Sequence, residues 1–467
     1  MPGLFLKGDP MNINDTLRYL DCGLPKEIRK RKDFGDFEGA NHFIDLYLQR
    51  DDVPQSLKNC LIAQREMMRR TPDNYPYTYE QAMDRIHQEI PDFTEEEFNA
   101  CIDTGRVHWV YIGGVPHYID SFFGAMCKDA KIAARAGRKN SPTMMPGTDE
   151  TFRNYSIKQM KKNGKMGLRM TIRASVRIKD EAFKPGFVRV HLPIPAECET
   201  QSDIQIVAMN PAGGKVAPGT SRARTICWEV ELKENTEFWV EYSYVHTEWY
   251  HDTEHMTPDP WQPSFCTEEQ SPHIVFTPYI KRLTAEVTTG CANNLEKARA
   301  IYDWITKHVV YSFVPDYILM ESIPDSMAHN YTGDCGVYAL LFITMCRCAG
   351  VPAQWQSGLD AEPFDVGAHD WARFYVAPYG WMYADCSFGA GSERSGNEES
   401  RRFYFGNLDP GRMVANNAFH QMFDIEKKHW RYDPYDSQTG EMEYEDRMID
   451  HGEYERHQVM TACEEVF

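Results

Sequence analysis

The feature that most constrains this chain is a change in the spacing of its apolar residues near position 165. Before that point apolar residues recur at helical spacing, whereas after it they alternate with polar residues. The alternation is clearest in the run Met170, Ile172, Ala174, Val176 and Ile178, and it repeats at 226–232 and 238–244. Proline and glycine clusters separate these runs and indicate turns. The pattern predicts an immunoglobulin-like β-sandwich over residues 158–255.

Residues 1–157 are predicted to form a mainly helical N-terminal domain. Residues 78–81 (TYEQ) and 94–97 (TEEE) both have the capping-box form that begins a helix. The glycine pair at 113–114 predicts a hairpin turn, and 121–134 has the pattern of a further helix. No residues in this region have the spacing of a catalytic motif, so we interpret the region as a docking or capping domain.

Residues 256–467 show a mixed pattern and are predicted to form the catalytic domain, with additional strands near the C-terminus. Apolar residues at helical spacing predict one helix over 294–308 and a second from Cys335 to Gly350. Strands are predicted at 353–358, 369–376 and 381–385. Helices followed by antiparallel strands indicate the α+β class.

The charge balance is acidic, since 50 Lys and Arg stand against 69 Asp and Glu for a net charge of −19. Such a surface repels nucleic-acid phosphates and anionic lipids, so we expect neither nucleic acid nor a membrane as a partner. The basic stretch 158–177 is interpreted as a solvated linker that continues into a strand. The sequence does not predict an oligomeric state.

The cysteines and the apolar runs favour a cytoplasmic protein. The chain has 13 cysteines, an odd number, and they read as reduced thiols. The run Leu4-Phe5-Leu6 is too short for the apolar core of a signal peptide, and 339–346 is too short to span a membrane. No Cys-x-x-Cys pair is present, so no metal site is expected.

Cys335 is the first candidate for chemistry, because it begins an apolar helical run directly after a loop. A thiol at a helix N-terminus meets unpaired backbone N–H groups and the positive end of the helix dipole, which favour the thiolate. The backbone N–H of Cys335 would also point at a reacting carbonyl oxygen. A lone cysteine in this position is more often structural, so this signal needs others beside it.

Two further residues complete a candidate triad. His369 begins a predicted strand, and Asp385 ends the next one, after the turn that Gly380 closes. A hairpin would bring the two side chains onto neighbouring strands, with the N-terminus of the Cys335 helix packed at the same edge. In that arrangement Cys335 attacks, His369 carries the proton and Asp385 orients the imidazole.

Four segments in this order resemble the transglutaminase-like superfamily. They are residues 331–335 (YTGDC), 348–353 (CAGVPA), 367–375 (GAHDWARFY) and 380–385 (GWMYAD). The resemblance covers about residues 293–388. It implies a compact papain-like α+β core, often preceded by a β-sandwich, and a cysteine hydrolase of bacterial type with Cys335, His369 and Asp385 as its triad.

The resemblance also implies a side-chain donor that completes the oxyanion hole, and Tyr311, Asn330 and Tyr331 are the candidates. Cross-linking relatives often use calcium, but no EF-hand loop is present, so no cofactor is expected. Trp371 and Arg412 are further candidates for the substrate cleft. The polar segment at 389–392 is interpreted as a loop that forms a wall or lid of that cleft.

The resulting function is cysteine-dependent hydrolysis, or acyl transfer, of a peptide or carboxamide bond through a thioester, with hydrolysis favoured over cross-linking. A peptide or other amide-bearing molecule is the expected partner. Two alternatives stay open: a binding or scaffold protein that keeps this core without turnover, and an amidase similar to peptide N-glycanases. The second is weakened because the zinc-binding cysteine pairs common in that group are missing from the sequence.

Overall fold

The computed structural model describes residues 11–138 and 142–466. The apolar run Leu4-Phe5-Leu6 lies outside the described residues. The α+β class is confirmed, since helices dominate the first third of the chain and sheets with packed helices make up the rest. Within the described ranges, no helix is both long and apolar enough to cross a lipid bilayer.

Helices dominate the N-terminal region, as predicted. Capping boxes form at Thr78 with Gln81 and at Thr94 with Glu97. The single helix predicted over 121–134 is instead two short ones, because Asp129 accepts the amides that begin the second. After a 3₁₀ helix at Ile13–Cys22, the elements are α1 (Lys26–Phe34), α2 (Phe37–Leu48), α3 (Gln55–Asn74), α4 (Tyr79–Glu89), α5 (Glu95–Asp103), β1 (Trp109–Ile112), β2 (Val115–Tyr118), α6 (Phe122–Met126), α7 (Ala130–Arg135) and α8 (Phe152–Asn163).

The middle region consists of antiparallel strands, and most of their apolar residues are buried. The three predicted strands fall within β3, β7 and β8 of the series β3 (Lys165–Ile178), β4 (Gly186–Pro193), β5 (Gln201–Asn210), β6 (Lys215–Val216), β7 (Thr225–Leu232) and β8 (Phe238–Trp249). The predicted linker at 158–177 is wrong, because its first residues belong to α8. That helix ends at Gly164, which adopts the left-handed conformation, and β3 follows at once.

Strands β11 to β15 of the remaining elements form an antiparallel five-stranded sheet in the order β14-β13-β12-β11-β15, with α12 packed against β12. Phe342 of α12 contacts Phe374 of β12, with ring centroids 5.8 Å apart. The elements are α9 (Pro278–Val287), α10 (Asn294–His308), β9 (Val310–Tyr311), a 3₁₀ turn (Tyr317–Leu319), α11 (Ile323–Asn330), β10 (Thr332–Gly333), α12 (Cys335–Cys348), β11 (Ala353–Glu362), β12 (Asp365–Val376), β13 (Gly380–Ala384), α13 (Cys386–Arg394), α14 (Glu398–Phe403), β14 (Phe405–Gly406), β15 (Arg412–Asn416), β16 (Glu441–Tyr444), a 3₁₀ turn (His451–Glu453) and β17 (Tyr454–Glu465).

The tail of the chain returns to the middle region, which differs from the prediction that placed its strands with the catalytic domain. β17 pairs with β3, and β16 pairs with β4, so the two four-stranded sheets are β17-β3-β8-β5 and β16-β4-β7-β6. Pairing satisfies the backbone of edge strands that would otherwise stay open. The tail therefore ties 158–255 to the core, and the segment between β15 and β16 crosses the catalytic region on its way.

Candidate active site

The N-terminus of α12 carries the candidate nucleophile. Cys335 is the first residue of the helix, and Asp334 caps it by accepting the amide of Val337 at 3.2 Å. The same carboxylate oxygen accepts the hydroxyl of Tyr317 at 2.6 Å. Cys335 and Asp334 line a cavity of about 270 Å³, together with Tyr311 and residues 313–317. The segment between β15 and β16, residues 417–440, contributes three further lining residues and is called the tail segment below. The predicted position of the thiol at a helix start is therefore confirmed.

Gly336 lets the sheet approach this helix end closely. A Cβ atom here would overlap the hydroxyl oxygen of Tyr317 and lie 2.7 Å from Oδ2 of Asp370. Any larger residue would push β12 away from α12. The glycine after Cys335 therefore keeps the thiol next to the strand that carries His369.

His369 and Asp385 form a buried pair. Nε2 of His369 lies 2.8 Å from Oδ2 of Asp385. The other oxygen of Asp385 caps α13 by accepting the amide of Phe388 at 2.9 Å. The Phe388 ring packs on the imidazole, with centroids 4.7 Å apart. Since each oxygen of the carboxylate has its own partner, Asp385 holds the imidazole in a fixed orientation.

The thiol of Cys335 forms its hydrogen bond with Asp370 and not with His369. Sγ of Cys335 donates to Oδ2 of Asp370 at 3.4 Å. Successive residues of a strand point to opposite faces, so His369 and Asp370 diverge, and Asp370 faces the end of α12. No hydrogen bond joins Cys335 to His369 in the part of the chain that the structure describes. The histidine–aspartate half of the predicted triad is thus assembled, whereas its contact with the thiol is not.

Arg412 lies behind the histidine–aspartate pair. Its guanidinium is wholly buried, with Nη2 3.3 Å from Oδ2 of Asp385 and 2.9 Å from Oδ2 of Asp409, and Nη1 3.4 Å from Asp360. The ring of Trp371 faces the guanidinium at 5.6 Å. Arg412, predicted near the cleft, instead shares with His369 the same oxygen of Asp385.

The electrostatics differ on the two sides of β12. Burial acts to raise the pKa of Asp385, but His369 and Arg412 outweigh it and hold the pKa at about 2. Burial lowers the pKa of His369, while Asp385 opposes that shift. On the other face, burial and then the carboxyls of Asp370 and Asp334 raise the pKa of Cys335 well above its usual value. In this arrangement the imidazole is neutral and the thiol is protonated at neutral pH.

The other candidate residues divide into two groups. Tyr311 borders the cavity, because β9 pairs with β10 and brings Tyr311 opposite Gly333. Asn330 bonds to Ser326 within α11, and Tyr331 ends that helix with a 42% exposed side chain; neither lines the cavity. Tyr311 therefore remains as the candidate oxyanion donor.

Two interpretations of the cleft need correction. Trp371 is buried, and its indole N–H donates to Oε1 of Gln356 at 3.1 Å, so it belongs to the core behind the pair. The segment 389–392 is not a loop but part of α13, which begins because Asp385 accepts the amide of Phe388. The aspartate thus both orients the histidine and starts this helix.

Several residues of the site were not predicted. Asp370 is not among the predicted residues, although strand alternation next to His369 indicates that its side chain faces α12. Gln438 and Asp436 come from the tail segment and carry no motif. Lys128 belongs to the N-terminal region, and its ammonium group lies 5.3 Å from the centre of the Tyr311 ring. Only the fold brings these distant segments to the cavity.

Comparison with known protein families finds a match within the second half of the chain. Residues 281–386 match the model of the transglutaminase-like superfamily, and the match contains Cys335, His369 and Asp385. The chain carries a transglutaminase-like domain. No protein of curated function matches the chain significantly.

Several solved structures, among them the following three, are similar at low identity. A proposed cysteine protease from Cytophaga hutchinsonii is 14% identical over 65% of this chain and 91% of its own, with a TM-score of 0.39. The periplasmic domain of TgpA from Pseudomonas aeruginosa is 11% identical over 53% and 96%, with a TM-score of 0.29. A proposed protease from Parabacteroides distasonis is 12% identical over 48% and 60%, with a TM-score of 0.20. No property of this chain follows from similarities this low.

Proposed function

We propose that this transglutaminase-like protein is a cysteine-dependent hydrolase of peptide or carboxamide bonds that works through a thioester on Cys335. The observation that carries the proposal is a thiol at the start of α12, lining a cavity, within a domain that also holds a buried histidine–aspartate pair. A carboxylate that is bonded to imidazole through Nε2 leaves Nδ1 as the nitrogen for the thiol proton. This division of roles is that of a nucleophile, its base and the group that orients the base.

The proposed reaction has two halves. In the first, the Cys335 proton moves to His369 and the sulfur adds to the carbonyl carbon; the imidazolium then protonates the leaving nitrogen, and the amine departs. In the second, His369 takes a proton from water, the hydroxide adds to the thioester carbonyl, and the thiol leaves with the proton. The amide of Cys335 and the hydroxyl of Tyr311 are the proposed donors to the oxyanion in both halves.

Asp385 and Arg412 support the base rather than touch the substrate. Asp385 stabilises the imidazolium that forms in each half of the cycle. Arg412 keeps Asp385 ionised by placing a positive charge 3.3 Å from the same oxygen. Because the pair and the arginine are buried, their interaction is stronger than it would be in water.

A non-catalytic binding protein is the second candidate, and one observation favours it. The thiol is bonded to Asp370 and not to His369, so the cavity as it stands holds a neutral cysteine. A protein that only captured a peptide would need no contact between the thiol and the imidazole. The two candidates differ in whether bound amide is ever converted.

The test is conversion of a defined mixture of peptides that contains internal peptide bonds and asparagine and glutamine carboxamides. Products are identified by mass, with Cys335→Ala, His369→Ala and Cys346→Ala as variants; Cys346 is a buried thiol of the same helix and serves as the matched control. Hydrolase activity requires products from the wild type and from Cys346→Ala, and none from the other two. Binding of a peptide without any product in the wild type would replace the hydrolase with the binding protein.

A further inference from the structure

Asp370 contacts the candidate nucleophile directly, as Tyr311 also does. Its Oδ2 accepts the thiol of Cys335 at 3.4 Å, and the same oxygen is the one that any side chain at Gly336 would meet. Asp370 is 3% exposed, so its side chain is buried against the end of α12 and is not a mobile surface group. The contact is therefore a built feature of the cavity wall.

The tail segment fixes this carboxyl in place. Nε2 of Gln438 donates to Oδ1 of Asp370 at 2.6 Å and to the carbonyl of His369 at 3.0 Å. The carbonyl of Gln438 in turn accepts Nε2 of Gln458, on β17, at 2.7 Å. Each oxygen of Asp370 thus has a defined donor, one from the tail and the other from the nucleophile.

A second buried carboxyl stands behind the first. Asp436 uses Oδ1 for Ser357 at 2.5 Å and Asn416 at 2.8 Å, whereas its Oδ2 has no hydrogen-bond donor of its own. Burial, and then Asp436, raise the pKa of Asp370 well above its usual value. Asp370 and Asp436 therefore titrate together, and the negative charge belongs to the pair of carboxyls and not to one of them. The other titratable groups facing Asp370 and Cys335 are Lys128, Tyr311, Tyr317, Asp334 and, along the cavity, Asp316, Tyr432 and Asp433.

We propose that Asp370 holds the Cys335 proton on sulfur while the cavity is empty, and that an entering amide N–H replaces the thiol as its hydrogen-bond donor. This inference rests on the proposed function. Once the S–H···Oδ2 bond is broken, the thiol is free to rotate toward His369, which accepts the proton. No other bond forms or breaks in this step, and the carboxyl keeps its own protonation state.

The chemistry favours this order of events. The negative charge that Asp370 and Asp436 share lies next to the sulfur and disfavours the thiolate, so the empty enzyme keeps an unreactive thiol. A substrate amide offers an N–H donor of the kind that Asp370 accepts from Gln438. Replacement of one donor by the other leaves no buried acceptor unpaired, which keeps the cost of the exchange low.

The experiment measures alkylation of Cys335 by iodoacetamide as a function of pH, from about 5 to about 10, by peptide mapping. The key variant is Asp370→Asn, which keeps the shape and removes the charge. Asp365→Asn is the matched control, because it makes the same change at an exposed position of the same strand. We expect the midpoint of Cys335 alkylation to fall by at least about one pH unit in Asp370→Asn, which is about tenfold faster reaction below the midpoint. Asp365→Asn should match the wild type.

An unchanged midpoint in folded Asp370→Asn would overturn the inference. Should Asp370→Asn fail to fold, Gln438→Leu provides the test, because it removes the hydrogen bond to Oδ1 that stabilises the charged form of Asp370. We expect a smaller downward shift of the Cys335 alkylation midpoint in this variant. An unchanged midpoint would overturn the inference. The alkylation midpoint does not depend on turnover. A missing conversion of peptides would therefore defeat the proposed hydrolase while leaving a shifted midpoint in place, and the reverse result would defeat this inference alone.

Discussion

Arg412 shows what a single buried charge contributes to this site. It faces Asp360, Asp385 and Asp409 with no exposure to solvent, so Arg412→Gln would leave buried carboxylates without a counter-charge. We expect a loss of about 3–5 kcal/mol in the free energy of unfolding, because removal of one partner of a buried ion pair costs that much.

The same substitution carries a second readout at His369. Arg412 is one of the groups that lower the pKa of His369, so the pKa of the imidazole should rise when the arginine is removed. Urea unfolding gives the stability, and NMR titration of the His369 ring gives the pKa. The control is Arg402→Gln on α14, an exposed arginine paired with Glu398, which should change neither. Equal stability of the two variants would contradict the role given to Arg412.

At the scale of elements, the start of α12 depends on an aspartate that is costly to ionise. Burial raises the pKa of Asp334 to about 6, from an ordinary value of 3.8. A carboxyl whose pKa is higher in the folded chain contributes stability that is fully present below the unfolded value and is lost as the pH rises through the folded value. Asp334→Asn still accepts from Val337 and Tyr317 but never ionises.

We therefore expect Asp334→Asn to be more stable than the wild type above about pH 6, by about 3 kcal/mol. The difference should shrink as the pH falls and vanish below about pH 4, where both side chains are neutral. Urea unfolding of both proteins across this range is the measurement. A difference that is constant with pH would mean that the cap contributes geometry alone.

The pairing of β11 with β15 behind His369 has its own test. Gly358 lies opposite His369, and a Cβ there would overlap the carbonyl oxygen of Met413 on β15. Gly358→Ala should separate these strands and destabilise the protein by more than about 2 kcal/mol, a large effect for a single methyl group. Gly367→Ala is the control on β12, since nothing lies within 4 Å of its Cβ position. Similar unfolding midpoints for the two variants would argue against the close approach.

Local patterns predicted the elements well and their partners less well. The helix at Asn294–His308 and the start of α12 follow from apolar spacing and capping, which act within a few residues. The return of β17 to β3 has no local signal, because strand pairing is decided by which backbone edges remain open after the core forms.

The residues of the site also divide into those that local patterns predict and those that only the fold brings together. Cys335 begins α12 and Asp385 directly follows β13, so local patterns marked both positions. His369, predicted to begin its strand, lies inside β12 instead, because that strand begins at Asp365. Gln438 reaches the cavity, and Asp436 the buried space behind Asp370, through the path of the tail. Lys128 reaches the ring of Tyr311 through the packing of the N-terminal region. Local spacing contains neither relation. The contact of the thiol with Asp370 could be read only from the packing of α12 on β12.

At the scale of the whole molecule, charge should decide which amides reach the thiol. The chain has a net charge of −19, and carboxyl groups line the cavity at Asp316, Asp334, Asp370 and Asp433. Burial raises the pKa of Asp334 to about 6 and that of Asp433 to about 7, so the effect belongs to assays above about pH 7. Like charges repel more strongly in an enclosed cleft than across open water. Substrates with an acidic residue next to the reacting amide should therefore turn over more slowly than matched neutral ones. Raised salt should narrow that gap, since it screens exposed charges. Equal rates for the two at low salt would contradict this expectation.

The central claim is that Cys335 becomes acylated. The most direct measurement is peptide mapping of the protein after brief mixing with amide substrates and acid quenching, which preserves a thioester. We predict an acyl adduct on Cys335 in the wild type and in Cys346→Ala, and no adduct when His369 is replaced by alanine. A wild-type protein that converts substrate without an adduct at Cys335, or Cys335→Ala that still converts it, would contradict the account.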